Sequence, residues 1–143
     1  MPTISIHNTV PGTRIPRRDL LRLGQIVLKD ERCSQNVNLI FIADSRMYEL
    51  NKEYRGKDKT TDVLSFAMED DEVPLLGEIY ISIPEARRNA AEYGITPTQE
   101  ILKLFCHGLL HLLGIHHPNK AKRAIMAAKE DKYLAKLRTG VAP

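Results

Sequence analysis

The stretch Thr96-Pro97-Thr98-Gln99-Glu100-Ile101-Leu102-Lys103-Leu104-Phe105-Cys106-His107-Gly108-Leu109-Leu110-His111-Leu112-Leu113-Gly114 decides how this 143-residue chain folds. It opens with a capping residue, a proline suited to the first helical position and a glutamine that completes a capping box, so a helix is announced from Thr96. The helix is expected to run to about Leu113. Ile101, Leu102, Leu104, Phe105, Leu109, Leu110, Leu112 and Leu113 surround it with apolar side chains and leave no broad polar face. A helix of that kind belongs in the middle of a domain, and Gly114 supplies the left-handed turn that ends it.

Working outward, strands and helices alternate before this helix. Residues 3–8 read as a strand; Pro16 opens a helix from about 17 to 32, with Leu20, Leu23 and Val27 at helical spacing. Residues 37–43 are rich in β-formers, and Asp44 and Ser45 are placed to cap a helix carrying Met47, Leu50 and Tyr54 on one face, stopped by Gly56. A loop over 57–61 leads to a strand at 62–66. After an acidic loop ending at Pro74, residues 77–83 form a further strand, and Pro84 opens a helix closed by Gly94. Beyond Pro118 a last amphipathic helix is expected to cover the core with Ile125, Met126, Tyr133 and Leu137. The expected fold is α+β: one domain over residues 1–143, a small mixed sheet packed with helices around the central buried helix.

Composition fits this reading. Hydrophobic residues at 43% and charged residues at 27%, without repeats or low-complexity segments, mark an ordinary globular protein. The longest mainly apolar run, residues 101–113, is interrupted by Lys103, His107 and His111 and is too short to span a bilayer. The N-terminus shows no basic stretch followed by an apolar segment, and Cys33 and Cys106 have no metal-binding or redox spacing. A cytoplasmic protein without a membrane partner is expected, with Cys106 a small buried hydrophobe. The net charge of +3 is patchy: Arg14, Arg17, Arg18 and Arg22 cluster early, residues 120–138 carry seven basic against two acidic side chains, and residues 69–72 are all acidic. Such patches are compatible with an RNA partner, although solvated helix faces look the same.

The histidines carry the chemistry. Residues four apart stack on one helical face, so His107 and His111 can direct imidazole nitrogens to one metal ion, and Gly114 allows the chain to reverse and bring in His117. Three neutral nitrogens leave one position of a tetrahedral zinc for water or substrate. The spacing His-x-x-x-His-x-x-Gly-x-x-His matches that of metzincin metalloproteases. A peptidase, however, needs a glutamate directly after the first histidine as general base, and that place is Gly108. Glycine there costs about 1 kcal/mol in a helix relative to alanine, so it calls for a reason, either room for a bulky substrate or a close neighbouring backbone.

His107-Gly108-Leu109-Leu110-His111-Leu112-Leu113-Gly114-Ile115-His116-His117 resembles the signature of the YbeY family of bacterial ribosomal-RNA maturation factors. Leu50-Asn51, Tyr54-Arg55-Gly56, Thr61-Asp62-Val63-Leu64-Ser65-Phe66 and Gly77-Glu78-Ile79 resemble the family's upstream motifs, and Met126 and Glu130 fall where its last helix carries such residues. The resemblance covers roughly residues 37–134. It implies a metal-dependent endoribonuclease specific for single strands, acting in small-subunit ribosomal-RNA processing and ribosome quality control. Zinc is the expected cofactor, held by His107, His111 and His117; single-stranded and ribosomal RNA are the expected partners, with ribosomal proteins or assembly factors a further class. The chain departs from the family at Ile115-His116-His117, where Tyr-Asp-His is usual. The carboxylate beside the third ligand is absent, and His116 either substitutes for it behind the ligands or competes as a ligand.

Arg55 is the expected catalytic side chain, because a permanently charged planar guanidinium clamps phosphate oxygens; a solvated arginine at a helix end is the alternative. Asp62 is read either as orienting a histidine or Arg55, or as a turn residue. Lys57 and Lys59 are candidates for nonspecific phosphate contacts. A ribosome-assembly factor with a mainly structural metal is the rival reading, and a metallopeptidase a weaker one.

Overall fold

A computed structural model describes residues 2–68, 70, 72–115 and 119–139. Among them lie five helices and one four-stranded sheet. Strand β1 (Ile4–Asn8) is followed by α1 (Arg17–Asp30), β2 (Asn36–Ile42) and α2 (Asp44–Arg55). Then come β3 (Val63–Ala67), β4 (Leu75–Ser82), α3 (Ile83–Tyr93), α4 (Pro97–Leu112) and α5 (Lys120–Arg138). The sheet order is β1-β2-β4-β3; β1 and β4 both run parallel to β2, while β3 pairs antiparallel with β4 along a register from Val63 opposite Ile81 to Ala67 opposite Gly77. Parallel neighbours need a crossover. Helix α1 supplies it between β1 and β2, and this leaves β3 at the sheet edge beside the loop that follows α2.

The alternation along the strands sorts side chains into two cores. Val37, Leu39, Phe41, Ile79 and Ile81 point into the main core with residues of α1, α3, α4 and α5, while Ile42 and Leu64 meet Met47 and Leu50 of α2 in a smaller cluster on the other face. The expected α+β architecture with a mixed sheet is therefore what forms. Helix α4 is its centre: ten of its sixteen residues are buried, Cys106 among them. Its announced capping box closes in both directions, with the Gln99 backbone N–H donating to Thr96 Oγ1 at 3.1 Å and the Thr96 N–H to Gln99 Oε1 at 2.9 Å.

Three local expectations differ from the structure. Helix α1 ends at Asp30 rather than near 32, because Arg32 adopts a left-handed φ of 56°. Asp44 does not cap α2. Ala43 occupies the cap position without a side-chain bond, and the Asp44 carboxylate instead accepts from Ser82 Oγ at 2.8 Å and Arg88 at 2.6 Å, joining α2 to α3. Ile125 is 54% exposed and does not join the core, whereas Met126, Tyr133 and Leu137 do. One residue is a rotation of about 100° on a helix, so with Met126 turned to the core Ile125 falls outside the narrow buried stripe of α5. The buried face of α5 is pinned to α1 through the Tyr133 hydroxyl, which donates to Asp30 and Glu31, and through Lys129 on Glu31 at 2.8 Å. The Tyr133 hydroxyl and the Lys132 ammonium hold the Asp30 carboxyl down at about 2.

Candidate active site

In the last two turns of α4, His107 and His111 face each other as four-residue spacing requires. Their Nε2 atoms are 3.0 Å apart and their ring centroids 4.6 Å apart. The other ring nitrogen of His107, Nδ1, lies 2.6 Å from Glu130 Oε1 on α5. With the Nδ1 proton donated to that carboxylate, the lone pair of Nε2 is directed toward His111. A carboxylate behind the imidazole is the usual support of a metal-binding histidine, fixing its tautomer and raising its basicity. Two nitrogens bound to one tetrahedral zinc at the usual 2.0–2.1 Å stand about 3.3 Å apart, so the observed separation suits a shared ion. His117, the expected third donor, and His116 beside it lie outside the described residues. Before them the chain does reverse: Gly114 takes a φ of 84°, and the N–H groups of Gly114 and Ile115 return to the carbonyls of His111 and Leu110. Among the described residues, then, the expected site contributes two histidines and the Glu130 support.

Gly108 is explained by packing. A Cβ there would stand 2.9 Å from Ile79 Cγ2 and 3.0 Å from Ser65 Oγ, so α4 lies against β3 and β4 too closely for any side chain. Of the two reasons considered for glycine, room for substrate is not the one seen, and the close neighbours are side chains of the sheet rather than backbone. The same contact brings the histidines beside the edge strand.

A cavity of about 350 Å³ opens there, lined by Arg55, residues 61–65, His107 and His111. Arg55 reaches it because α2 ends at Gly56 in the left-handed conformation and the following loop is tied down: buried Asn51 donates its side-chain amide to the Lys59 carbonyl at 2.8 Å. The Leu50-Asn51 motif thus has a structural task that sequence reading left unassigned. Lys57 and Lys59 are exposed on that loop. Asp62 lines the cavity and also closes the turn into β3, accepting from the Val63 N–H at 2.8 Å; its second oxygen accepts from the Asn89 amide at 3.1 Å.

Asn89 leads to a group that sequence reading missed. Its amide also donates, at 3.3 Å, to Glu100 on α4, which is 2% exposed. Burial pushes the Glu100 carboxyl above the ordinary carboxylate range. A glutamate in the first turn of a helix looks in sequence like a solvated partner of the helix dipole, and only the packing of α3 on α4 shows that it is enclosed. A smaller cleft of about 200 Å³, lined by Asp62, Tyr93, Glu100, Lys103, His107 and Glu130, adjoins the main cavity across His107.

Comparison with known proteins decides the family. The family model described as endoribonuclease YbeY matches residues 11–138. The chain belongs to the endoribonuclease YbeY family. Relatives bearing the name endoribonuclease YbeY include one from Desulforamulus reducens, 44% identical over 133 residues that cover 83% of this chain and 87% of that protein. Another, from Pelotomaculum thermopropionicum, is 42% identical over 127 residues covering 82% and 84%. The solution structure of TM1509 from Thermotoga maritima superposes with a TM-score of 0.65 at 30% identity, covering 94% of this chain and 88% of that one. The YbeY match extends beyond the motifs that carried the resemblance, taking in α1 and all of α5. Glu130, known from sequence only as a residue at a family position, is in the structure the carboxylate behind His107.

The position of Glu130 yields a direct expectation. If it fixes the His107 tautomer for metal binding, Glu130→Gln should weaken zinc affinity by roughly 10- to 100-fold. Competition with a chromophoric chelator measures this. Unchanged affinity would reduce Glu130 to a packing contact between α4 and α5.

Proposed function

We propose that this chain, acting as one domain, is a zinc-dependent endoribonuclease that cleaves single-stranded RNA, with ribosomal RNA of the small subunit as its substrate in the cytoplasm. Membership in the family makes the chain an endoribonuclease, a hydrolase acting on RNA. One observation carries the reading further: Arg55 lines the same cavity as the paired histidines, so a cation suited to phosphate and a histidine pair suited to a metal ion face one space. No helix among the described residues is long and apolar enough to cross a membrane.

His107, His111 and His117 would hold the ion. A bound zinc would supply Lewis acidity suited to activating a water or ribose hydroxyl and to steadying negative charge. The side chains do the rest. Glu130 would accept from the His107 Nδ1–H and thereby fix the orientation of the ring. Arg55 offers its fork of N–H donors to non-bridging phosphate oxygens, where charge grows as the phosphodiester bond breaks. Residues 61–65 form part of the wall, held in place by the turn that Asp62 closes and by its bond to Asn89. Ribosomal proteins or assembly factors are proposed as further partners.

The test incubates zinc-loaded protein with end-labelled single-stranded ribosomal RNA, with the His111→Ala protein beside it. Cleavage by the first alone is expected; equal cleavage by both would point to a contaminant and remove the reading. RNA affinity should also fall steeply as salt rises, because Arg and Lys contacts to phosphates release counterions, and duplex RNA of equal length should bind no better than single strands. Binding isotherms at several ionic strengths decide this, and a salt-insensitive interaction would contradict it.

A further inference from the structure

Tyr54 and Arg55 are consecutive on the last turn of α2, so their side chains part by about 100°. Arg55 lines the cavity, whereas Tyr54 lies against Phe66 of the edge strand β3. The Tyr54 ring is held in place: its centroid is 5.2 Å from that of Phe66 at 64° between planes, and Phe66 in turn packs edge-on at 5.7 Å against Tyr80. The Tyr80 hydroxyl donates to Glu78 Oε1 at 3.3 Å, which anchors the far end of the row. Yet Tyr54 is 61% exposed, the most open large hydrophobic side chain among the described residues. Residues 52–59 around it carry four basic and two acidic side chains, and one of the acids, Asp58, lies 4.0 Å from Lys52. A fixed aromatic ring left open in a basic surround is what unpaired bases stack on.

We propose that the open face of Tyr54 is a stacking platform for a base of single-stranded RNA flanking the phosphate held by Arg55, an inference that rests on reading the cavity as the site of RNA cleavage. Bases inside a duplex are already stacked on one another and have no free face to offer. The platform therefore gives this site a physical basis for preferring single strands. It acts on binding, because stacking is complete before the phosphodiester bond is attacked.

The chain contains no tryptophan, so Tyr54→Trp places its sole indole at the platform. Titrating that protein with a short 2′-O-methyl oligoribonucleotide should quench the indole saturably, while an abasic oligonucleotide of equal charge should not. In single-turnover cleavage, Tyr54→Ala should raise the half-saturating concentration about tenfold with the maximal rate little changed, and Tyr54→Phe should behave as wild type. Equal quenching by both oligonucleotides, no quenching by either, or an unshifted half-saturation for a Tyr54→Ala protein of normal melting temperature would overturn the platform. In the last case wild-type cleavage of single strands leaves the functional reading standing. A wild-type protein that leaves single-stranded RNA uncut overturns that reading and the platform with it.

Discussion

His111→Ala is expected to lose its stoichiometric zinc and to cleave RNA at background level while keeping its fold. The Nε2 atoms of His107 and His111 are the described donors of the proposed site, 3.0 Å apart, and neither can chelate without the other. Helix α4 is held by its apolar contacts on α1, α3, α5 and the sheet, so the fold is expected to survive loss of the ion. Zinc should stabilise wild type by mass action, about 2.7 kcal/mol at a hundredfold excess over its dissociation constant, and should leave the variant's melting curve unmoved. Metal analysis and melting with and without zinc measure both. The same assays separate the neighbouring histidines: His117→Ala should lose metal and His116→Ala retain it, and the opposite pattern would exchange their roles. Unfolding of wild type on chelation would favour the rival reading of a structural metal. A His111→Ala protein that still holds one zinc per chain would remove the site altogether.

Arg55→Ala should fold, melt and bind zinc as wild type does, and cleave about a hundredfold more slowly or worse. The side chain is exposed at a helix end, so its loss leaves no hole in either core. A guanidinium that meets charge developing during bond breakage affects the maximal rate more than RNA affinity, and this distinguishes Arg55 from Tyr54, whose loss should act on affinity alone. Lysine keeps the charge without the planar fork, so Arg55→Lys should fall between the two rates. Single-turnover cleavage, melting and metal content on all three proteins supply the test. An Arg55→Ala protein cleaving at the wild-type rate would leave the cavity without its proposed phosphate clamp.

The sequence by itself determined the features that depend on neighbours along the chain. The capping box at Thr96 and Gln99, the apolar girdle of α4, the four-residue step between His107 and His111 and the glycine stop at Gly56 are all local, and each formed as spacing and side-chain type dictate. Apolar spacing likewise announced α1, α2 and α5, proline, glycine and capping signals announced α3 and α4, and β-forming runs announced the strands. The resemblance to the family was legible for the same reason, since its motifs are short and ordered along the chain.

Only the tertiary structure decided what those elements bring together. Glu130 reaches His107 across 23 residues, Asn89 joins Asp62 across 27 and Glu100 across 11, and no period in the sequence points to such pairs. The side chain that Gly108 excludes is set by β3 and β4, which lie some thirty to forty residues earlier and become neighbours only when α4 packs on the sheet. Ile125 and Met126 are both hydrophobic in sequence, and the angle at which α5 lies on α1 and α4 buries one and exposes the other. Local rules fix which surfaces a segment offers; which surfaces meet depends on how all the segments fill one core, and the cavity shared by Arg55 and the histidines exists only at that level.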